Sequence, residues 1–88
     1  MKYRSRTDIV AQILDAASAN GANKTKIMYK AYLSFAQLKE YLAVLIANDL
    51  LEEDVAEKLY KTTEKGMKFM RMYGQIDELT GPLQEQRI

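Results

Sequence analysis

The chain has 88 residues, no cysteine, no histidine and a formal net charge of +1 at pH 7. This length suits one domain rather than two, and the lack of cysteine excludes disulfides and favours a reducing cytoplasm. Without histidine the chain lacks the commonest general base and metal ligand, and no glycine-rich phosphate loop or nucleophile–base pair takes its place. We therefore expect a protein that is not an enzyme and needs no cofactor or metal.

The charge is unevenly distributed along the chain. Residues 1–48 carry a formal charge of +4, residues 49–60 carry −4 and residues 61–88 carry +1. A near-neutral total thus conceals a basic half and an acidic segment. No apolar stretch approaches the roughly 20 residues of a membrane span, and we expect no signal peptide because no apolar run follows Met1–Arg4.

Three helices are predicted in the first half of the chain, over residues 5–20, 24–31 and 35–48. Apolar residues recur at helical spacing in each of them. Suitable N-caps precede them: Ser5 or Thr7 for the first helix, Asn23 for the second and Ser34 for the third. The Asn20-Gly21 pair is expected to end the first helix, since both residues tolerate a left-handed backbone.

The second and third helices are separated only by the turn Tyr32-Leu33-Ser34, in which Leu33 is expected to be buried. Two helices joined by so short a turn form a helix-turn-helix when the second presents a small or polar outer face. The core face of the third helix is predicted to contain Leu38, Leu42, Leu45 and Ile46. The aromatic residues Tyr29, Tyr32, Phe35 and Tyr41 are expected at the margins of the core.

Two short strands are predicted next, over residues 50–53 and 58–62, around an acidic turn at 54–57. A hairpin of this size is marginal alone and must pack on the helices. The predicted fold is therefore mainly α with a small β-hairpin, a winged helix-turn-helix of order α-α-α-β-β-α.

A last helix is predicted from the cap Thr63 onward, with Gly66 allowing it to pack closely. Its apolar residues recur at alternating steps of three and four, as in a coiled-coil seam, until Gly81-Pro82 interrupts it. Two arrangements fit the seam: packing on its own domain, or packing on a second copy, which predicts a homodimer. The predicted dimer interface comprises Phe69, Met72, Tyr73, Ile76, Leu79 and Leu83. Residues 1–62 would then form the core and wing, and residues 63–88 the dimerisation segment, of a single domain.

Two segments carry a resemblance to a known family: Asn23-Lys24-Thr25-Lys26-Ile27-Met28-Tyr29-Lys30-Ala31 with the leucines that follow it, and Tyr60-Lys61-Thr62-Thr63-Glu64-Lys65-Gly66. Together they resemble a widespread archaeal winged-helix family that includes the small chromatin proteins called Sso-ten-a. The resemblance implies a winged-helix fold, DNA binding and dimers that pair their last helices antiparallel. The family often has glycine before the leucine at position 50, where this chain has Asp49.

We therefore expect a protein that binds double-stranded DNA as a homodimer, either a transcription regulator or a small chromatin-associated protein of the cytoplasmic nucleoid. Base contacts are predicted for Ser34, Ala36, Gln37 and Glu40, near the start of the third helix. Phosphate contacts are predicted for Lys24, Lys26, Lys30, Lys39, Tyr41, Lys58 and Lys61, and for Arg4 and Arg6 on an N-terminal arm. The acidic hairpin tip should be repelled by phosphate, and it supports the alternative of a winged-helix protein-interaction module without DNA binding.

Overall fold

The structure, a computed structural model, describes the backbone of residues 4–86 and the side chains of residues 4–76. Its elements in chain order are α1 (Arg6–Ala17), α2 (Lys24–Ala31), α3 (Phe35–Ala47), β1 (Leu51–Asp54), β2 (Leu59–Thr62) and α4 (Glu64–Gln86). The predicted order of three helices, a hairpin and a final helix is confirmed. α2 has the predicted bounds, and α3 ends one residue earlier than predicted.

Local side-chain bonds start the first two helices where the sequence predicts them. The Ser5 hydroxyl accepts a hydrogen bond from the Asp8 backbone N–H at 3.0 Å, and the Asp8 carboxylate accepts one from the Ser5 N–H. Asn23 accepts from the Lys26 N–H at 2.8 Å. Such N-caps contribute about 1 kcal/mol each, so these starts are fixed by nearby residues alone.

α1 ends three residues earlier than predicted because the chain turns toward the hairpin. Ala19 (φ 63°) and Gly21 (φ 87°) adopt left-handed backbone conformations after the helix. The turn brings Ala22 beside Tyr60 of β2, where each backbone N–H donates to the other residue's carbonyl at 2.9 and 2.8 Å. A short third segment is thereby added to the two-stranded sheet.

The antiparallel hairpin pairs Leu51 with Thr62 and Asp54 with Leu59. Its first strand starts and ends one residue later than predicted, because the turn falls at 55–58 rather than at 54–57. The Asp54 carboxylate accepts the Glu57 N–H at 3.1 Å, and Lys58 has a φ of 57°, which suits a turn and not a strand.

The core lies between α1, α2, α3 and the hairpin. Its buried residues include Ile13, Leu14, Ala17, Ala22, Ile27, Ala31, Leu33, Leu38, Leu42, Leu45, Leu51 and Tyr60. The burial predicted for Leu33 is confirmed. The prediction for Ile46 is wrong, because the buried stripe of α3 is narrow and leaves this side chain exposed.

α4 begins after Thr63, whose hydroxyl accepts the Gly66 N–H at 3.0 Å. The helix packs closely at Gly66, as predicted: a Cβ there would lie 2.6 Å from Thr62 Cγ2 and would overlap the Leu50 carbonyl oxygen. The predicted interruption at Gly81-Pro82 is wrong, since the helical backbone continues to Gln86. A proline removes one helical hydrogen bond, and the other bonds of the turn remain.

Within the described residues, no helix has the length and apolarity needed to span a membrane.

Candidate nucleic-acid interface

The turn between α2 and α3 is held on both sides by local contacts. α2 ends at Tyr32, which has a φ of 54° and donates its backbone N–H to the Met28 carbonyl. Leu33 and Leu38 are both buried, and they flank the α3 N-cap Ser34 as the two partners of a hydrophobic staple. The entry angle of α3 is therefore fixed by buried side chains.

A capping box completes the start of α3. The Ser34 hydroxyl accepts the Gln37 backbone N–H at 3.2 Å, and Gln37 Oε1 accepts the Ser34 N–H at 3.0 Å. The predicted cap is thus confirmed. The box also engages the amide oxygen of Gln37, one of the two groups that a glutamine uses to bind adenine.

The outer face of α3 is not buried against the rest of the domain. All four residues predicted to contact bases are exposed: Ser34, Ala36, Gln37 and Glu40. Farther along the helix, Ala43, Val44 and Ala47 are also exposed. The structure thus leaves an open helical surface at the place where a helix-turn-helix meets the major groove.

Exposed lysines flank this surface. Lys24, Lys26 and Lys30 lie along α2 and are exposed, as the predicted phosphate contacts require. Lys39 is exposed on α3, with its Nζ 5.8 Å from the centre of the Phe35 ring. Tyr41, by contrast, is half-buried against the core.

Arg4 is held by the C-terminal end of α2 rather than extended as an arm. Its guanidinium donates to the side chain of Gln12, to the Ala31 carbonyl and, at 3.0 Å, to the Tyr32 carbonyl. A cation at this position complements the negative end of the helix dipole. Arg6, the other predicted contact of this segment, is exposed.

The two hairpin lysines differ in their surroundings. Lys61 lies 3.5 Å from the carboxylate of Asp54, in a partly exposed ion pair, whereas Lys58 is exposed in the turn. Glu52 and Glu53 are exposed on β1. Burial, with a smaller contribution from the charge of Glu53, raises the pKa of Tyr60 above its ordinary value.

Three aromatic residues that the sequence placed at the core margin are exposed. The exposed fraction is 75% for Tyr29, 79% for Tyr32 and 55% for Phe35. No signal in the sequence marked Tyr32, because the left-handed position after a helix is usually occupied by glycine or asparagine and here holds a tyrosine with a φ of 54°. The sequence analysis expected all three at the core margin, and it therefore missed that they lie on the surface beside the candidate interface.

The residues predicted for a dimer interface on α4 divide into three groups. Phe69 is half-buried against the core of its own domain, and the Tyr73 hydroxyl donates to the Asp8 carboxylate of α1. Met72 and Ile76 are 62% and 57% exposed. The side chains of Leu79 and Leu83 lie outside the described residues. Phe69 and Tyr73 therefore contact their own domain, and the role of the six residues in a dimer interface stays a prediction.

The hydrogen bond between α4 and α1 has an electrostatic consequence. The Tyr73 hydroxyl, followed by the Ser5 backbone N–H, lowers the pKa of Asp8 below its ordinary value of 3.8, because both donors favour the ionised carboxylate.

Among the described side chains, no group of three or more carboxylates is placed to hold a metal ion.

Comparisons with known proteins agree with this architecture. No curated protein matches the chain. A solved structure with a similar fold is that of Sso10a-2, described as a DNA-binding protein from Sulfolobus solfataricus. It has a TM-score of 0.78 and 21% identity over 96% of this chain and 90% of that one. A family model described as winged helix-turn-helix matches residues 3–81. The resemblance drawn from the sequence is thereby confirmed, and the chain belongs to the winged helix-turn-helix family.

Proposed function

We propose that this protein binds double-stranded DNA by inserting α3 into the major groove. The observation that carries the proposal is the exposed outer face of α3, flanked by the exposed lysines of α2. A single α-helix fits the major groove, and lysines on the preceding helix meet the phosphates on either side. The description of Sso10a-2 as a DNA-binding protein supports the same proposal.

In this proposal the start of α3 meets the bases and α2 meets the backbone. Ser34 is the N-cap of α3, Ala36 and Gln37 lie in its first turn, and Glu40 follows about one turn later. Lys24, Lys26 and Lys30 contact phosphates, together with Lys39 and Arg6. Lys61 joins them only by giving up its ion pair with Asp54, and Arg4 only by giving up bonds to α2.

A salt series tests the proposal. If about five phosphates are neutralised per protomer, a plot of log affinity against log salt concentration should fall with a slope of about −4 to −5. The measurement is a gel-shift titration of a random-sequence duplex at several salt concentrations. A flat response would contradict the proposal, because cation release accompanies every lysine–phosphate contact.

A charge reversal tests where the duplex lies. Lys30→Glu should weaken binding about tenfold and reduce the salt slope by about 1 or more. Lys68→Glu is the matched control, since Lys68 is also an exposed helical lysine and lies on α4. Equal losses in the two variants would show that the duplex contacts no particular face, and would overturn the placement on α2 and α3.

We favour a regulator over a packaging protein because the formal net charge is only +1. Non-specific packaging relies on a strongly basic surface. Selection of bound sequences from a random duplex pool distinguishes the two roles. An enriched palindrome would support a dimeric regulator, whereas no enrichment would support a chromatin-associated protein of the nucleoid.

We also propose that the protein acts as a homodimer joined through α4. At 1.5 Å per residue, its 23 residues make a rod of about 34 Å. The exposed side chains of Met72 and Ile76 lie one turn apart on it. Exposed apolar residues in such a row favour a partner, and a second copy would present a second α3 to the next turn of the duplex.

The acidic hairpin favours a second candidate function, a protein-interaction module without DNA binding. Glu52, Glu53 and Glu57 are exposed on or beside its tip, and they would repel phosphate and attract a basic partner. Binding of this kind would survive Lys30→Glu and would be lost in Glu52→Lys/Glu53→Lys. DNA binding should show the opposite pattern.

A further inference from the structure

The outer face of α3 has little hydrogen-bonding capacity. Ser34, Gln37 and Glu40 are its polar residues, and the Ser34 hydroxyl already accepts the Gln37 backbone N–H. Gln37 Oε1 already accepts the Ser34 N–H in the capping box, and Glu40 is an anion that phosphate repels. Ala36, Ala43 and Val44 are apolar and exposed. A helix of this composition is better suited to apolar contacts than to bidentate hydrogen bonds with bases.

Phe35, the first residue of α3, extends this apolar character to the tip of the helix. The staple at this helix start is formed by Leu33 and Leu38, both buried, so the Phe35 ring has no part in it and is 55% exposed. The Lys39 ammonium lies over the Phe35 ring, 5.8 Å from the ring centre. A large apolar ring with a cation on its face thus stands where a recognition helix first meets base edges.

We propose that α3 recognises thymine in the major groove through its C5-methyl group, with Phe35 as the main contact. Thymine is the one standard base that presents a methyl group there, and phenylalanine and alanine side chains are suited to it. The lysines of α2 and Lys39 favour a polyanion over an apolar protein as the occupant of this surface. The inference rests on the proposed DNA binding and adds which base the protein prefers.

Replacing thymine by uracil tests the contact, because the two bases differ only in the methyl group. The probe is a duplex of alternating A·T base pairs, made once with thymidine and once with deoxyuridine. The wild-type protein should bind the uracil duplex about threefold to fivefold more weakly, the loss expected for one buried methyl group. Phe35→Ala should lose most of this preference, since the main contact with the methyl group is removed.

Two controls isolate the effect. Val55→Ala removes an exposed apolar side chain from the hairpin turn and should keep the preference for thymine. Thermal unfolding of Phe35→Ala should match that of the wild type, since alanine is a good helix former and the ring is outside the staple.

The outcomes separate the two proposals. If the wild type binds both duplexes with one affinity, or if Phe35→Ala keeps the preference for thymine, the methyl contact is wrong while DNA binding stands. If the wild type binds neither duplex at low salt, DNA binding is wrong and the methyl contact with it.

Discussion

Asp49 has a positive φ of 61° at the end of α3, and its carbonyl accepts the Thr63 hydroxyl at 2.7 Å. Glycine adopts such a left-handed conformation without strain, and it is the residue that the family resemblance implies here. Aspartate and asparagine tolerate this region, whereas a β-branched residue does not.

Asp49→Val should therefore lower the free energy of unfolding by about 1–2 kcal/mol, measured by urea denaturation. Asp49→Asn is the control: it removes the charge but keeps the backbone tolerance, and it should change stability by less than about 0.5 kcal/mol. A loss of equal size in both variants would assign the effect to the charge instead.

Two glycines of α4 provide a matched pair. Gly66→Ala should lower stability by about 1–3 kcal/mol, because the new methyl group overlaps Leu50 and Thr62. At Gly74 a Cβ would have no described atom within 4 Å, so Gly74→Ala should raise stability by about 0.5–1 kcal/mol through helix propensity. Urea denaturation measures both, and a stabilising Gly66→Ala would show that α4 does not pack as described.

At the scale of the elements, α1 and α4 are joined by the Tyr73–Asp8 hydrogen bond. The pKa of Asp8 is lower in the folded protein than its ordinary value of 3.8. A lowered carboxyl pKa contributes stability above the unfolded-state pKa, and that contribution is lost as the pH falls through the folded-state value. The contact therefore stabilises the fold fully above about pH 4, and its contribution decreases as the pH falls further.

Tyr73→Phe should raise the pKa of Asp8, because it removes the largest cause of the shift. Carboxyl NMR of Asp8 measures this directly. The variant should also be less stable than the wild type near pH 6, with the difference shrinking as the pH falls below about 4. A stability difference independent of pH would indicate that the tyrosine acts through packing alone.

The same contacts limit what α4 offers to a partner. Near the hairpin, one face of α4 packs on its own domain through Gly66 and Phe69. In the proposed dimer, the contribution of Phe69 is limited by its packing on its own domain, whereas Met72 offers a more exposed apolar side chain.

At the scale of the whole molecule, the proposed dimer predicts a specific sensitivity. Met72→Lys places a charge on the exposed row of α4 and should raise the dimer dissociation constant at least about tenfold, since an unpaired charge in an apolar interface is costly. Sedimentation equilibrium measures this. Gln75→Lys adds the same charge at another exposed position of the helix and should leave the dimer intact.

A wild-type chain that remains monomeric at every concentration tested would contradict the dimer and leave the single domain as the DNA-binding unit. For a dimer, the unfolding temperature should rise with protein concentration. For a monomer it should not.

The amino-acid sequence by itself determined the features that depend on neighbours in the chain. The sequence predicted the caps Ser5, Asn23 and Ser34 and the bounds of α2, because each follows from residues only a few positions apart. It also predicted close packing at Gly66, because glycine has no side chain to keep a neighbouring segment away. The lysines of α2 and the open face of α3 followed in turn, since helical spacing alone fixes which side is apolar.

Only the tertiary structure decided what distant segments do to one another. Three contacts join residues that are far apart in the chain. Ala22 pairs with Tyr60, Arg4 donates hydrogen bonds to the C-terminal end of α2, and Phe69 packs against the core. Apolar periodicity marks a side chain as a candidate for burial but does not say which surface covers it. For that reason the sequence assigned Phe69 to a partner and Phe35 to the core margin, whereas the packed helices place Phe69 against the core and leave Phe35 exposed.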